Sequence, residues 1–289
     1  MQQIWIGLLL IASVGNAGAT EKMPAAEFRE LLQSVSNWQR WGSADQLGTL
    51  NLLTPKVRRA AAREVRAGVS VSLARVAETK AAIDNNSPYS HTMLGVGTEV
   101  AEGEPYVSGF GADRIAVSHH GFVHSHVDAL AHIFNDGRMY NDFPQQLVTP
   151  EGASVLSVIN LRHGVLTRGV LVDIPELLGK QWLDHDDVID LAMLERWERA
   201  SKVRIRAGDA VLFYTGHWAR RDALGPWDPM QRMAGVHPRV AGLLRSRDVA
   251  IVGSDSTLDT LPSLAEGASF PMHTLAIVAM GMPILDALD

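Results

Sequence analysis

Short apolar runs bounded by turn-forming residues recur along the chain at 69–73, 115–117, 170–174, 210–214 and 249–252. Runs this short fit strands better than helices. Helical patterns lie between them. Thr54-Pro55 pairs an N-cap residue with proline at the first helical position, the following residues are good helix formers, and Gly68 stands where a C′ glycine would, which predicts a helix over 55–67. Residues 186–200 and 238–245 read as two further helices. Strands alternating with helices predict a mixed α/β domain. The segment 77–110, with Asn85-Asn86, Pro88 and four glycines, reads as a long excursion that could cover a site.

At 289 residues and 46% hydrophobic content, the chain can bury a sizeable core, and no fixed-period repeat divides it. One domain over 20–289 is expected. The net charge of -6 comes without a basic cluster, which argues against a nucleic-acid partner. No cysteine is present, so disulfides and thiolate-held zinc are excluded, and histidine and carboxylate remain as strong metal ligands. Residues 1–19 carry no charged side chain, and an apolar run over 4–14 ends in Gly15, Asn16 and Ala17-Gly18-Ala19. That pattern reads as a signal peptide cut after Ala19, sending the protein to the periplasm or outside the cell. The run is shorter than the ~20 residues of a bilayer-spanning helix, so no stable membrane anchor is expected.

Five of the eleven histidines, His119, His120, His124, His126 and His132, fall within fourteen residues. His124-Ser125-His126-Val127-Asp128 sets two imidazoles and a carboxylate at i, i+2 and i+4, which project from one face if the segment is extended. Two imidazoles and a carboxylate suit zinc or manganese, and three protein ligands leave a position for water, as in a catalytic site. The competing reading is a hydrogen-bonded, metal-free histidine strand. His132 lies four residues past Asp128 and could return to the site as a base, a supporting group or a further ligand. Ser125 should point away from the ligands, and no Gly-x-Ser-x-Gly elbow occurs, which disfavours a serine hydrolase. His217 and Trp218 could line a pocket, and Asp255 and Asp259 could orient histidines.

The stretch from His120 to His132 resembles the signature of the cyclase family of metal-dependent hydrolases, which includes kynurenine formamidase and isatin hydrolase. Its short form is His-x-Gly-Thr-His-x-Asp-x-Pro-x-His. With His126, Asp128 and His132 on the last three polar positions, Phe122 stands where the first histidine belongs. Longer bacterial members, with His-Thr-His-x-Asp-Ala-Leu here, are more similar and suggest His124 as that ligand, with His120 as the alternative. Trp41 to Asn51, Gly169 to Asp173, Ala207 to Trp218 and Val252 to Asp255 resemble further blocks of these members.

The resemblance implies a swivelling β/β/α fold, a homo-oligomer, and one or two divalent ions, zinc or manganese. It implies a second metal position at His273 and Asp286. The metal would be held by His124, His126 and Asp128, with His132 moving the proton, and the substrate would be a small amide, cyclic amide or imide, or lactone. A polyketide-type cyclase or dehydratase and a non-catalytic periplasmic metal-binding protein are the alternatives. Expressed in a Gram-negative host, the chain should be recovered beginning at Thr20 by N-terminal sequencing; an intact Met1 on active protein rejects the export signal.

Overall fold

The computed structural model describes residues 21–96 and 110–289, so the expected signal peptide lies outside the described residues, as does most of the second half of the 77–110 excursion. A five-stranded mixed sheet organises the chain, in the spatial order His126–Asp128, Ile284–Asp286, Ile251–Ser254, Ala210–Tyr214 and Gly169–Asp173. The last four run parallel, while His126–Asp128 is antiparallel to its neighbour. Every residue of Ile251–Ser254 is buried, as expected of a central parallel strand covered on both faces. Val170, Val172, Val211 and Phe213 join Leu194, Trp197, Val240 and Leu244 of the helices Leu191–Ser201 and Val240–Ser246 in one core cluster. The fold is therefore mixed α/β.

A buried helix precedes the second strand of that order. Pro271–His273 is α-helical, and Thr274–Met280 widens into a π-helix whose residues from Leu275 to Met280 are all buried. Its last carbonyls have no water to bind, so other chain segments must supply donors. The N-terminal region does this. Trp38 Nε1 donates to the Val278 carbonyl at 2.7 Å, the Asn37 amide to Ala279 at 2.9 Å, and Asn37 Nδ2 to Met280 at 2.9 Å. The Thr49 amide donates to Gly281 at 2.8 Å. Asp45 fixes this region by accepting from Gly48 N at 2.9 Å, Asn51 Nδ2 at 2.8 Å and Tyr140 Oη at 3.0 Å.

Several expected elements shift. The helix after Thr54 starts as predicted, with Thr54 accepting from Val57 N, but ends at Ala62 instead of 67; residues 63–67 are all exposed and have no tertiary face to hold another turn. Among the described residues, 69–73 form no ladder, and the pairing nearby is the single bridge of Ala74 to Leu288. Residues 115 and 116 belong to the strand Ala112–Ala116, just past the expected excursion, which pairs antiparallel with Ser90–Gly95 within it. The helix expected over 186–200 begins at Leu191, where Asp190 accepts from Met193 N at 2.8 Å. Val188–Ile189 instead pairs with Gly235–Val236. No helix among the described residues is long and apolar enough to cross a membrane.

Gly281 ends the π-helix at φ +64, and a Cβ there would lie 2.5 Å from the Tyr140 ring. Gly281→Ala therefore combines left-handed backbone strain with overpacking, and should lower unfolding stability by about 2–5 kcal/mol in urea denaturation. A loss within ~0.5 kcal/mol would mean that Tyr140 yields freely.

Candidate metal centre

The antiparallel edge pairing brings the acidic and imidazole groups together. Asp128 pairs with Ile284 and His126 with Asp286, and residues directly opposite on an antiparallel pair share a face. His126, Asp128 and Asp286 therefore project from the same side, while Ser125 turns away and donates to the Ala287 carbonyl at 2.6 Å.

Asp128 is fully buried and ringed by imidazoles. His120 Nδ1 lies 2.9 Å, His126 Nε2 3.4 Å and His132 Nε2 3.9 Å from its Oδ1, and His273 Nε2 lies 3.4 Å from its Oδ2. His273 Nε2 is also 3.2 Å from Asp286 Oδ2. Among the described residues, neither Asp128 oxygen has an aligned hydrogen-bond partner, nor does Asp286 Oδ1. Burial alone would raise the Asp128 carboxyl, but His120, His126 and His273 beside it outweigh burial and hold it far below the carboxylate range. Burial likewise opposes a charge on His273, yet Asp286, Asp128 and Asp259 hold it well above its ordinary value. His132 goes the other way: burial, reinforced by the neighbouring histidines against the pull of Asp128, pushes it down to about 4.

His132 reaches the group through a turn in which its amide donates to the Ala129 carbonyl at 2.9 Å, and not through a helix. Its ring stacks on His120, with centroids 3.8 Å apart and planes at 10°. His124 is not brought in. The strand begins only at His126, the chain bends over 120–124, and the buried His124 imidazole faces the carbonyls of Ser118 at 3.3 Å and Glu78 at 3.4 Å. His120, the alternative in the sequence, takes the position beside Asp128.

A cavity of about 680 Å³ opens over the cluster, with His120, His126 and His132 among its lining and Phe134, Val148 and Val158 as apolar wall. His119 also lines it, a member of the histidine block to which the sequence reading gave no role. The wall comes from the irregular stretch 134–158, where no periodic pattern marks it. His217 and Trp218 are absent from this lining. His217 is buried at a helix start with its amide on Asp255 Oδ2, its ring 4.9 Å from Trp227, and Trp218 Nε1 donates to the Leu288 carbonyl. Both are buried.

Among the described residues, two donor groups could each hold an ion, His120 with Asp128 and His132, and His126 with Asp128 and Asp286. Asp128 belongs to both. Unpartnered buried carboxylate oxygens facing imidazole nitrogens form an oxygen and nitrogen donor set that fits a divalent cation.

The model of the family described as "Putative cyclase" matches residues 69–258. The chain belongs to this cyclase family. The crystal structure of a novel cyclase superposes with a TM-score of 0.76 at 26% identity, covering 88% of this chain and 86% of that one. Isatin hydrolase A from Ralstonia solanacearum gives 0.51 at 21% identity, covering 82% and 86%, and isatin hydrolase A from Labrenzia aggregata, bound to benzyl benzoate, gives 0.53 at 18%, covering 83% and 85%. These two share the fold. No curated protein sequence matches the chain.

The two histidines separate cleanly by experiment. His120→Ala should lower the divalent metal bound per chain, measured by elemental analysis after dialysis, whereas His124→Ala should leave it near the wild-type value. The reverse pattern would return the ligand role to His124.

Proposed function

We propose that this cyclase-family chain is a metal-dependent hydrolase of a small uncharged carbonyl compound, an amide, cyclic amide or imide, or lactone. The observation that carries the reading is the buried Asp128 carboxylate, unpartnered at both oxygens among four imidazoles beneath an apolar-walled cavity. Isatin, named in the hydrolases of like fold, is a cyclic amide and falls in this substrate class.

His126, Asp128, Asp286 and His273 would hold a divalent ion on the sheet side, where all four are buried or nearly so, with His120 joining them from the cavity side beside Asp128 Oδ1. Such an ion supplies Lewis-acid activation of a water and of a substrate carbonyl. The apolar wall excludes bulk water and receives the body of the substrate. His132, uncharged near neutral pH because burial lowers it to about 4, can accept a proton at Nε2 from the attacking water. It can then return that proton to the leaving nitrogen or oxygen. The overall change adds one water across the carbonyl–heteroatom bond. A cyclase or dehydratase using the same site would instead lose water, so product mass distinguishes the two.

One observation favours a second role for His132: it shares with His120 and Asp128 a spacing that could hold a second ion. His132→Gln keeps a polar side chain but cannot shuttle a proton near neutrality. On a panel of formanilides, isatins and aryl lactones, it should retain the wild-type metal content and lose ~10²–10⁴-fold in kcat. Near wild-type turnover would remove His132 from the chemistry, and loss of metal would make it a ligand. Absence of any hydrolysis by metal-loaded wild type would support the metal-binding-protein alternative.

A further inference from the structure

Asp259 stands behind the metal centre and touches none of the cavity. It is fully buried, and its carboxylate is saturated from one direction. Oδ1 accepts from Met272 N at 2.7 Å, while Oδ2 accepts from His273 N at 3.2 Å and lies 2.6 Å from His273 Nδ1. Both oxygens already accept from backbone amides, so the site is built to receive donors, and the 2.6 Å contact places the shared hydrogen on Nδ1. That leaves Nε2 as the atom facing Asp286 Oδ2 at 3.2 Å and Asp128 Oδ2 at 3.4 Å.

The backbone that presents Asp259 is itself tightly held. Val236 N donates to the Leu258 carbonyl at 2.8 Å, and Val236 forms a parallel bridge with Asp259. Leu258 adopts φ +59, a left-handed conformation unfavourable for leucine. A Cβ on Gly235 would fall 2.5 Å from the Asp259 carbonyl carbon and oxygen, so only glycine permits the approach. A strained residue and an obligatory glycine converge on the carboxylate that fixes one imidazole.

We propose that Asp259 is a positioning residue for the metal centre, holding His273 as the Nδ1–H tautomer so that its Nε2 lone pair points at the Asp128 and Asp286 side. The inference rests on the metal-centre reading above and adds to it a residue outside both donor groups. A purely structural role is the rival, because two of the three contacts tie down the start of the Pro271–His273 helix. The contact to Nδ1 is the one such a role does not need.

In Asp259→Asn one carboxylate oxygen becomes an NH2 group, which cannot accept from the amides or from Nδ1–H. Calorimetric titration of the protein with Mn²⁺ or Zn²⁺ should show one equivalent weakened about 10–100-fold, the usual effect of removing a group that orients a metal-binding histidine. Long-range ¹⁵N–¹H spectra of the Zn²⁺-loaded wild type should show His273 protonated on Nδ1 only, and that signature should be lost in the variant. A folded variant with unchanged affinity and tautomer overturns the proposal. Should Asp259→Asn fail to fold, the wild-type spectrum still decides, since His273 protonated on Nε2 in the Zn²⁺-loaded protein overturns it. Wild type that takes up neither ion overturns the metal-centre reading and this proposal together, whereas a metal-loaded wild type with an indifferent variant overturns this proposal alone.

Discussion

Taking a carboxylate fully out of water costs roughly several kcal/mol unless neighbouring groups restore its solvation. Asp128 is in that position, at 0% exposure, and much of the surrounding architecture serves to surround it. Its strand is the one reversed member of the sheet, and that reversal sets His126 directly across from Asp286. His120 arrives from the bend before the strand, His132 from the turn after it, and His273 from a helix more than a hundred residues later. Local sequence supplies three imidazoles; the fold supplies the fourth and the second carboxylate.

That distant contribution depends on a helix with no water around it. The π-helical segment after His273 could not end inside the core with free carbonyls, and Trp38, Asn37 and Thr49 cap it from a separate part of the chain. The contact is close enough that a Cβ on Gly48 would collide with the Gly281 carbonyl at 1.9 Å. The N-terminal block is thus connected mechanically to the metal centre: it seats the helix whose first turn carries His273. This gives a physical reason for the glycine and asparagine spacing between Asn37 and Asn51, which no local secondary structure requires.

The strand at 210–214 was legible because its apolar run is buried against the sheet core and its length suits nothing else. The run at 69–73 alternates Val69, Val71 and Leu73 with serines but finds no ladder partner among the described residues, and Val69 and Val71 remain 78% and 76% exposed. A strand is a property of its partner as well as of itself. The site divides on the same line. Alternation through His126 and Asp128 held because the ladder covers those residues, and it failed for His124 because the ladder stops short of it. Asp255 and Asp259 read alike in sequence, but Asp255 turns its carboxylate to Thr215 and His217 N while Asp259 takes His273. Only tertiary structure separates them.

The crowding of four imidazoles around two buried carboxylates gives the strongest physical argument for a cation. Asp128 is held ionised and His273 is driven toward its charged form, while His132, 3.9 Å from the same carboxylate, is pushed down to about 4. The imidazoles cannot all carry protons at this separation, because each added charge opposes the next. Protons alone therefore leave part of the buried negative charge unmatched, as the unpartnered oxygens of Asp128 and Asp286 Oδ1 show. A divalent cation removes the conflict, since neutral imidazoles donate lone pairs to it and both carboxylates balance its charge. Metal affinity should accordingly fall as pH drops, in step with proton uptake by the histidines.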